Sequence, residues 1–301
     1  MNLKREINST RRGYLYALIA TICGSLVYLF SKAALNEISL PAFGFWWFML
    51  ALFWNTLFAL HPKGGFSVRL FTRHDYHNLL LIGIFELAAT VSFYIAIKIT
   101  DNPSVPSFLR NLEYLFVTLL GILLLSERFN IKTGAGAILI LAGAFVVSFR
   151  GTDSLGFMNA TALMMLISTS LYAVRTILVK KHIGEMAPVV LAINRAIFLF
   201  LFSLLFIFIT GDSIQIPVKA FLNILAGSFV GPFLTSIFQY SSLKYIPASR
   251  TAIIQSTTGL FVLAGALLMF GSLPTPVQVT GGLITITGVG VMMGKRTKSH
   301  D

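Results

Sequence analysis

The sequence predicts an all-α integral membrane protein with ten transmembrane helices arranged as two five-helix repeats. Three observations carry this. Of 301 residues, 56% are apolar and only 11% charged, where a soluble protein carries about a quarter charged residues. The apolar residues gather into ten stretches of roughly the twenty residues that a helix needs to cross hydrocarbon. The second half of the chain also repeats the first.

The repeat is direct. Residues 93–149 read FYIAIKITDNPSVPSFLRNLEYLFVTLLGILLLSERFNIKTGAGAILILAGAFVVSF, and residues 238–293 read FQYSSLKYIPASRTAIIQSTTGLFVLAGALLMFGSLPTPVQVTGGLITITGVGVMM. Tyr94 pairs with Tyr240 and Lys98 with Lys244 at an offset of 146. Leu115, Gly136 and Gly143 pair with Leu260, Gly281 and Gly288 at 145, so one loop residue separates the two registers. A duplicated membrane unit lets two related halves rock around a central site.

In chain order the spans fall near 14–34, 40–60, 79–99, 104–125 and 133–149, then 156–179, 187–209, 219–243, 250–270 and 276–293. The first repeat is residues 13–150 and the second 151–294, flanked by tails at 1–12 and 295–301. Runs such as Ile138–Val147 do not alternate, which excludes a β-barrel. The first apolar stretch is too long for the core of a cleavable signal peptide.

A net charge of +12 resembles a nucleic-acid signal, but its placement argues for orientation. With a cytoplasmic N-terminus and ten spans, sixteen Lys and Arg fall on the cytoplasmic side. Four fall opposite: Lys32, Lys98, Arg150 and Lys219. That bias follows the positive-inside rule, puts both termini in the cytoplasm and suits a plasma (inner) membrane. No nucleic-acid partner is expected; the lipid bilayer is one.

Catalytic and metal signatures are absent. No phosphate-binding GxxxxGK[ST] loop, GxSxG elbow or HExxH helix occurs. His74 and His77 read as a solvated loop, and the lone Cys23 cannot form an intramolecular disulfide. No enzyme activity, metal or cofactor is expected.

Five ionisable residues lie well inside predicted spans: Glu86, Arg110, Glu113, Arg175 and Arg195. Each costs a few kcal/mol or more facing lipid, so they should turn inward. Span four is the densest, with Ser107, Arg110, Asn111, Tyr114 and Thr118 sharing one helical face and Glu113 able to pair with Arg110. The repeat sets Gln255, Ser256 and Thr258 of span nine opposite this patch. Depth along their helices brings Glu86, Arg175 and Arg195 to one level, with Arg195 near enough to the cytoplasmic end to snorkel to water. Tyr172 in span six and Gln239 and Tyr240 in span eight extend the polar lining. A structural lock is the alternative reading of Arg110–Glu113. Spans five and ten are glycine-rich, which suits scaffold packing, and Gly290-x-x-x-Gly294 suits a homodimer contact.

The stretch YIAIK…LFVTLLGILLLSERFNIKTGAGAILILAGAFVV, with its Ser126-Glu127-Arg128 turn, resembles the EamA repeat of the drug/metabolite transporter superfamily. The second copy, LKYIPASR…VTGGLITITGVGVM, resembles it too. Ser126 and Ser272 depart from the Gly and Glu usual there, and Glu113-Tyr114 stands where a Pro is often found. The resemblance covers nearly all of 13–294. It implies inverted five-helix repeats, a central cavity and alternating access, with amino acids or other small metabolites exported.

The combined expectation is a secondary-active or facilitative carrier of a small polar metabolite, an amino acid or organic anion. Arg110 and Arg175 would contact the anion through forked bonds. Asn111, Tyr114, Tyr172, Gln239, Tyr240 and Gln255 would orient it, and Glu113 would bind an ammonium or a proton. Glu86 and Glu113 are the candidate proton-coupling carboxylates. Two alternatives are a flippase for a lipid-linked or phosphorylated substrate and a non-transporting membrane sensor or assembly partner.

Overall fold

The computed structural model describes residues 2–61, 72–125, 131–148, 160–182, 186–246, 251, 254–271 and 275–293. The Ser126-Glu127-Arg128 turn, Ser272, Gly294 and the 295–301 tail lie outside them. Among the described residues no strand occurs.

The first half contains α1 (Asn2–Leu35), α2 (Leu40–Leu60), α3 (Arg73–Ile99), α4 (Ser104–Leu109), α5 (Leu112–Leu125) and α6 (Ile131–Ser148). The second contains α7 (Ala160–His182), α8 (Pro188–Thr210), α9 (Val218–Ser228), α10 (Ser236–Tyr245), α11 (Thr258–Phe270) and α12 (Pro276–Met293). Residues 10–35, 40–60, 73–99, 160–182, 188–210 and 218–245 form six helices long and apolar enough to cross a membrane.

Local chemistry sets several ends. Ser39 caps α2, with Pro41 in its first turn, where a missing N–H costs nothing. Thr72 and Asp75 form a reciprocal capping box at the start of α3. His74 and His77 therefore sit exposed in the first turn of a helix, not in a loop. Gly211, at φ +69°, closes α8 in the left-handed conformation that favours glycine. Helix α1 also runs back through the segment expected to be a tail.

Three spans depart from the continuous helices expected. Span four is broken between α4 and α5, and span nine turns at Ser256–Thr257 before α11. Span eight is interrupted by a π-helical segment, Phe229–Thr235, with Pro232 inside it. Proline has no N–H to continue the helical ladder. The wider π turn is held by Thr235 Oγ1 donating to the Val230 carbonyl at 2.7 Å, while Asn55 Nδ2 donates to the Pro232 carbonyl at 3.2 Å. At the repeat offset of 146, Pro232 corresponds to Glu86.

Helices pair across the halves: α3 with α7, α2 with α8, α6 with α12, and α1 with α9, the π segment and α10. Ser168 Oγ donates to the Ala89 carbonyl, Arg175 meets Glu86, and the His182 ring lies 5.9 Å from that of His74. Numbers rise along α7 as they fall along α3, so these two helices are antiparallel. The core of Tyr28, Phe43, Trp47, Phe93, Tyr94 and Phe108 draws on α1 to α4 of the first repeat. Against it pack Ile224 and Val262 from the second.

The glycine-rich helices α6 and α12 pack on each other. A Cβ on Gly143 would lie 2.6 Å from both the Gly281 carbonyl oxygen and the Thr285 nitrogen. Backbone cannot yield as a flexible side chain does. Gly143→Val should therefore cost on the order of 1–3 kcal/mol, the usual scale of overpacking. It should lower the apparent Tm in detergent well below that of Gly290→Val, since nothing lies within 4 Å of a Cβ at Gly290.

Candidate functional site

The breaks in spans four and nine build the site. After α4 the backbone tightens into 3₁₀ turns. Asn111 N–H donates to the Phe108 carbonyl at 3.0 Å, Glu113 to Arg110 at 2.9 Å and Tyr114 to Asn111 at 3.1 Å. In span nine, Thr257 N–H donates to Ile254 at 3.2 Å and Leu260 to Thr257 at 3.0 Å. At the repeat offset of 145 the two breaks fall within a residue of each other. Mid-helix 3₁₀ segments mark hinges or strain, and discontinuous helices are what carriers use to form a midplane site. Phe108 packs beside the first break. Its ring fills the space that side chains at Gly259 and Gly282 would need, with Cβ positions 2.5 and 2.4 Å from it.

Two charge groups flank these breaks. In the first, Glu86 of α3 forms ion pairs with Arg175, whose Nε lies 2.8 Å from Oε2, and with Arg195, whose Nε lies 3.0 Å from Oε1. Thr90 Oγ1 donates to the same Oε1 at 3.0 Å and lies 2.7 Å from the Tyr172 hydroxyl. Arg195 Nη1 also donates to Ser236 Oγ at 3.2 Å. In the second, Arg110 Nη2 meets Glu113 Oε2 at 3.1 Å, and Thr176 donates to Glu113 Oε1 at 3.3 Å. Tyr172 joins the groups: its ring centroid lies 4.5 Å from the Arg110 guanidinium carbon and 5.0 Å from that of Arg175. Phe93 adds a second ring under Arg110 at 5.5 Å. These cation–π contacts hold the guanidinium in place without spending its hydrogen-bond donors.

A cavity of about 70 Å³ opens between the halves, enough for a few waters or part of a small solute. Arg110 and Arg195 reach it, with Tyr28, Tyr94, Tyr114, Tyr172, Gln239 and Gln255, and no carboxylate is among its lining residues. The Tyr28 hydroxyl is buried and makes no hydrogen bond among the described residues, leaving a donor available to an occupant. A second space of about 10 Å³ lies behind Tyr114, Gln239 and Gln255, bounded by Glu113, Thr176 and Thr251. It has room for one water-sized particle.

The cavity thus gathers five of the nine residues expected to contact the substrate: Arg110, Tyr114, Tyr172, Gln239 and Gln255. Glu113 faces the smaller space. Asn111, Tyr240, Glu86 and Arg175 lie buried behind the wall. Arg175, expected at the anion, instead holds Glu86 with 1% of its side chain exposed. Arg195, expected to snorkel toward water, turns inward and takes the wall position, because Glu86 and Ser236 anchor its guanidinium. Tyr28 joins the wall from α1. The nearby Pro232 and its π turn had no periodic signature. Among the described residues no cluster of His, Cys, Asp and Glu suits a metal.

The comparisons with known proteins agree with this architecture. A solved crystal structure of a protein with 15% identity superposes at a TM-score of 0.70, over 93% of this chain and 95% of the other, which shows the fold alone. An uncharacterized transporter from Methanothermobacter thermautotrophicus is 23% identical, over 93% of this chain and 85% of its own length. The model of the EamA-like transporter family matches residues 11–149 and again 159–294. With both halves matched in full succession, this chain is a multi-pass membrane protein that belongs to the EamA-like transporter family.

Proposed function

We propose that the chain carries a small anionic metabolite, an amino acid or an organic acid, across the plasma membrane by alternating access. Ten spans in two inverted five-helix repeats, with both termini cytoplasmic, complete this reading. The antiparallel run of α3 and α7 and the sixteen-to-four division of basic residues support it. The observation that carries the substrate reading is the cavity wall, which offers two guanidiniums and no carboxylate. Guanidinium forks bind carboxylate and phosphate oxygens in pairs. No nucleotide-binding loop accompanies the site, so the drive is a gradient or an exchange.

Of the two carboxylates, Glu113 is the better proton carrier. Both oxygens of Glu86 meet guanidiniums, so a proton there would strand two buried cations. Glu113 faces one guanidinium, and that one is 21% exposed. A second reading draws on an apolar cleft of about 270 Å³ between α2, α3 and α8, which shares Tyr94 with the central cavity. A lipid-linked substrate would place its headgroup at the arginines and its tail in this cleft. Retention of flux only for lipid-linked anions would favour it.

The direct test is flux into proteoliposomes across a panel of amino acids, organic acids, phosphorylated sugars and cations. A single anionic or zwitterionic class should accumulate. Arg110→Gln should cut its kcat/KM by roughly 10- to 100-fold, the worth of one charged hydrogen bond. Flux of cations alone would sink the proposal. Glu113→Gln should leave exchange intact while flattening the dependence of net flux on an imposed pH gradient. Glu86→Gln should instead lower the apparent Tm, at a cost of roughly 3–5 kcal/mol, because it leaves buried guanidiniums uncompensated.

A further inference from the structure

Each half of the molecule ties its first helix to its third with a lysine. In the first half, Lys32 in the last turn of α1 donates to the Lys98 carbonyl at the end of α3, at 3.4 Å. Lys98 answers by donating to the Leu35 carbonyl and, at 2.7 Å, to that of Ile38. In the second half, Lys180 in the last turn of α7 donates to the carbonyls of Leu243 at 2.8 Å and Ile246 at 3.3 Å, where α10 ends. Lys32 and Lys180 thus perform the same act in the two repeats. The repeat partner of Lys98, Lys244, is exposed and does not share it.

The two clasps lie at opposite ends of the bundle. Helix α7 ends beside His74, where α3 begins, whereas Lys32 sits where α3 ends. Between the ends lies the central cavity, and the helices that carry the clasps also carry its wall. Tyr28 is on α1, Phe93 and Tyr94 on α3, Tyr172 on α7 and Gln239 on α10. With both clasps engaged the cavity is small. Each lysine bonds backbone carbonyls at a helix C-terminus, the negative end of the helix dipole. Water satisfies those carbonyls equally well when the helix ends part, so a clasp can open without stranding a charge in hydrocarbon.

From these contacts we propose that Lys32 and Lys180 are the two gates of the central cavity, one for each membrane face. The inference rests on the transport reading above. Release of one lysine frees one end of a helix pair, opens the cavity to that side and leaves the other clasp as the seal. Two seals of the same chemistry, one per repeat, let the halves exchange conformations, so that the site faces each side in turn.

The test reads accessibility, which needs no substrate. Val27 lines the cavity on α1, so Val27→Cys in a Cys23→Ser background reports its opening. A membrane-impermeant thiol reagent is applied to either face of sealed vesicles. Lys32→Met should raise labelling from one face at least fivefold, and Lys180→Met should do so from the opposite face. Lys32→Arg and Lys180→Arg, which keep the donors, should retain the parent ratio. Should a methionine variant fail to insert, Lys32→Gln and Lys180→Gln give the same comparison with the same expected directions. Labelling that rises from one shared face, or a face ratio unmoved within twofold, overturns the gates. Opposed labelling shifts without flux of any anion would retain the gates and remove the substrate reading.

Discussion

A charge inside hydrocarbon must bring its counter-charge with it, and much of this molecule follows from that requirement. Glu86 could not stand alone on α3. Two guanidiniums from the other repeat complete it, and by doing so they fix how the repeats meet. Arg175 binds α7 to α3, and Arg195 draws α8 toward the same point. Removing one partner of such a group is costly because the survivor stays buried and uncompensated. The bridge is thus a positioning element. It sets Tyr172 beneath Arg110 through Thr90, and it leaves Arg195 turned to the cavity.

The second requirement is that buried backbone be satisfied. Breaking the helices at Arg110–Asn111 and Ser256–Thr257 frees amide groups inside the protein. The 3₁₀ turns recover several of those bonds locally, and the ring of Phe108, seated on two glycines, packs beside the first break. The irregular backbone is tolerated because it borders a polar cavity. This is also why the polar patches of the two repeats coincide there.

The sequence disclosed the helical class, the repeat and the inward-facing charges because each rests on a strong, local rule: length, offset and the expense of burying charge. It disclosed that Glu86, Arg175 and Arg195 share a level, since a helix rises by a fixed step per residue. It could not disclose which guanidinium would face the cavity. Arg175 and Arg195 differ in rotation about their helices by packing alone, and Ser236, which helps anchor Arg195, arrives from a different helix. The breaks were equally hidden. Leu112–Leu125 reads as a continuation of Ser104–Leu109 by hydropathy, and the packing of Phe108 against Gly259 and Gly282 beside the break involves residues far away in sequence.

The repeat relates Glu86 to Pro232, and this divergence reaches beyond local packing. Two identical halves would give the inward-facing and outward-facing forms equal energy, and an empty carrier would divide evenly between them. Here α3 of the first half carries the carboxylate on which an ion cluster from both halves is built, and the cohesion of that cluster weakens as water enters. At the equivalent position of the second half the chain bends at a π turn whose proline cannot reform a regular helix. Under the alternating access proposed above, the two facing forms would therefore differ in free energy before any solute arrives. On that reading the empty protein would rest mainly in one orientation, and a solute gradient would act on a population already skewed to one side of the membrane.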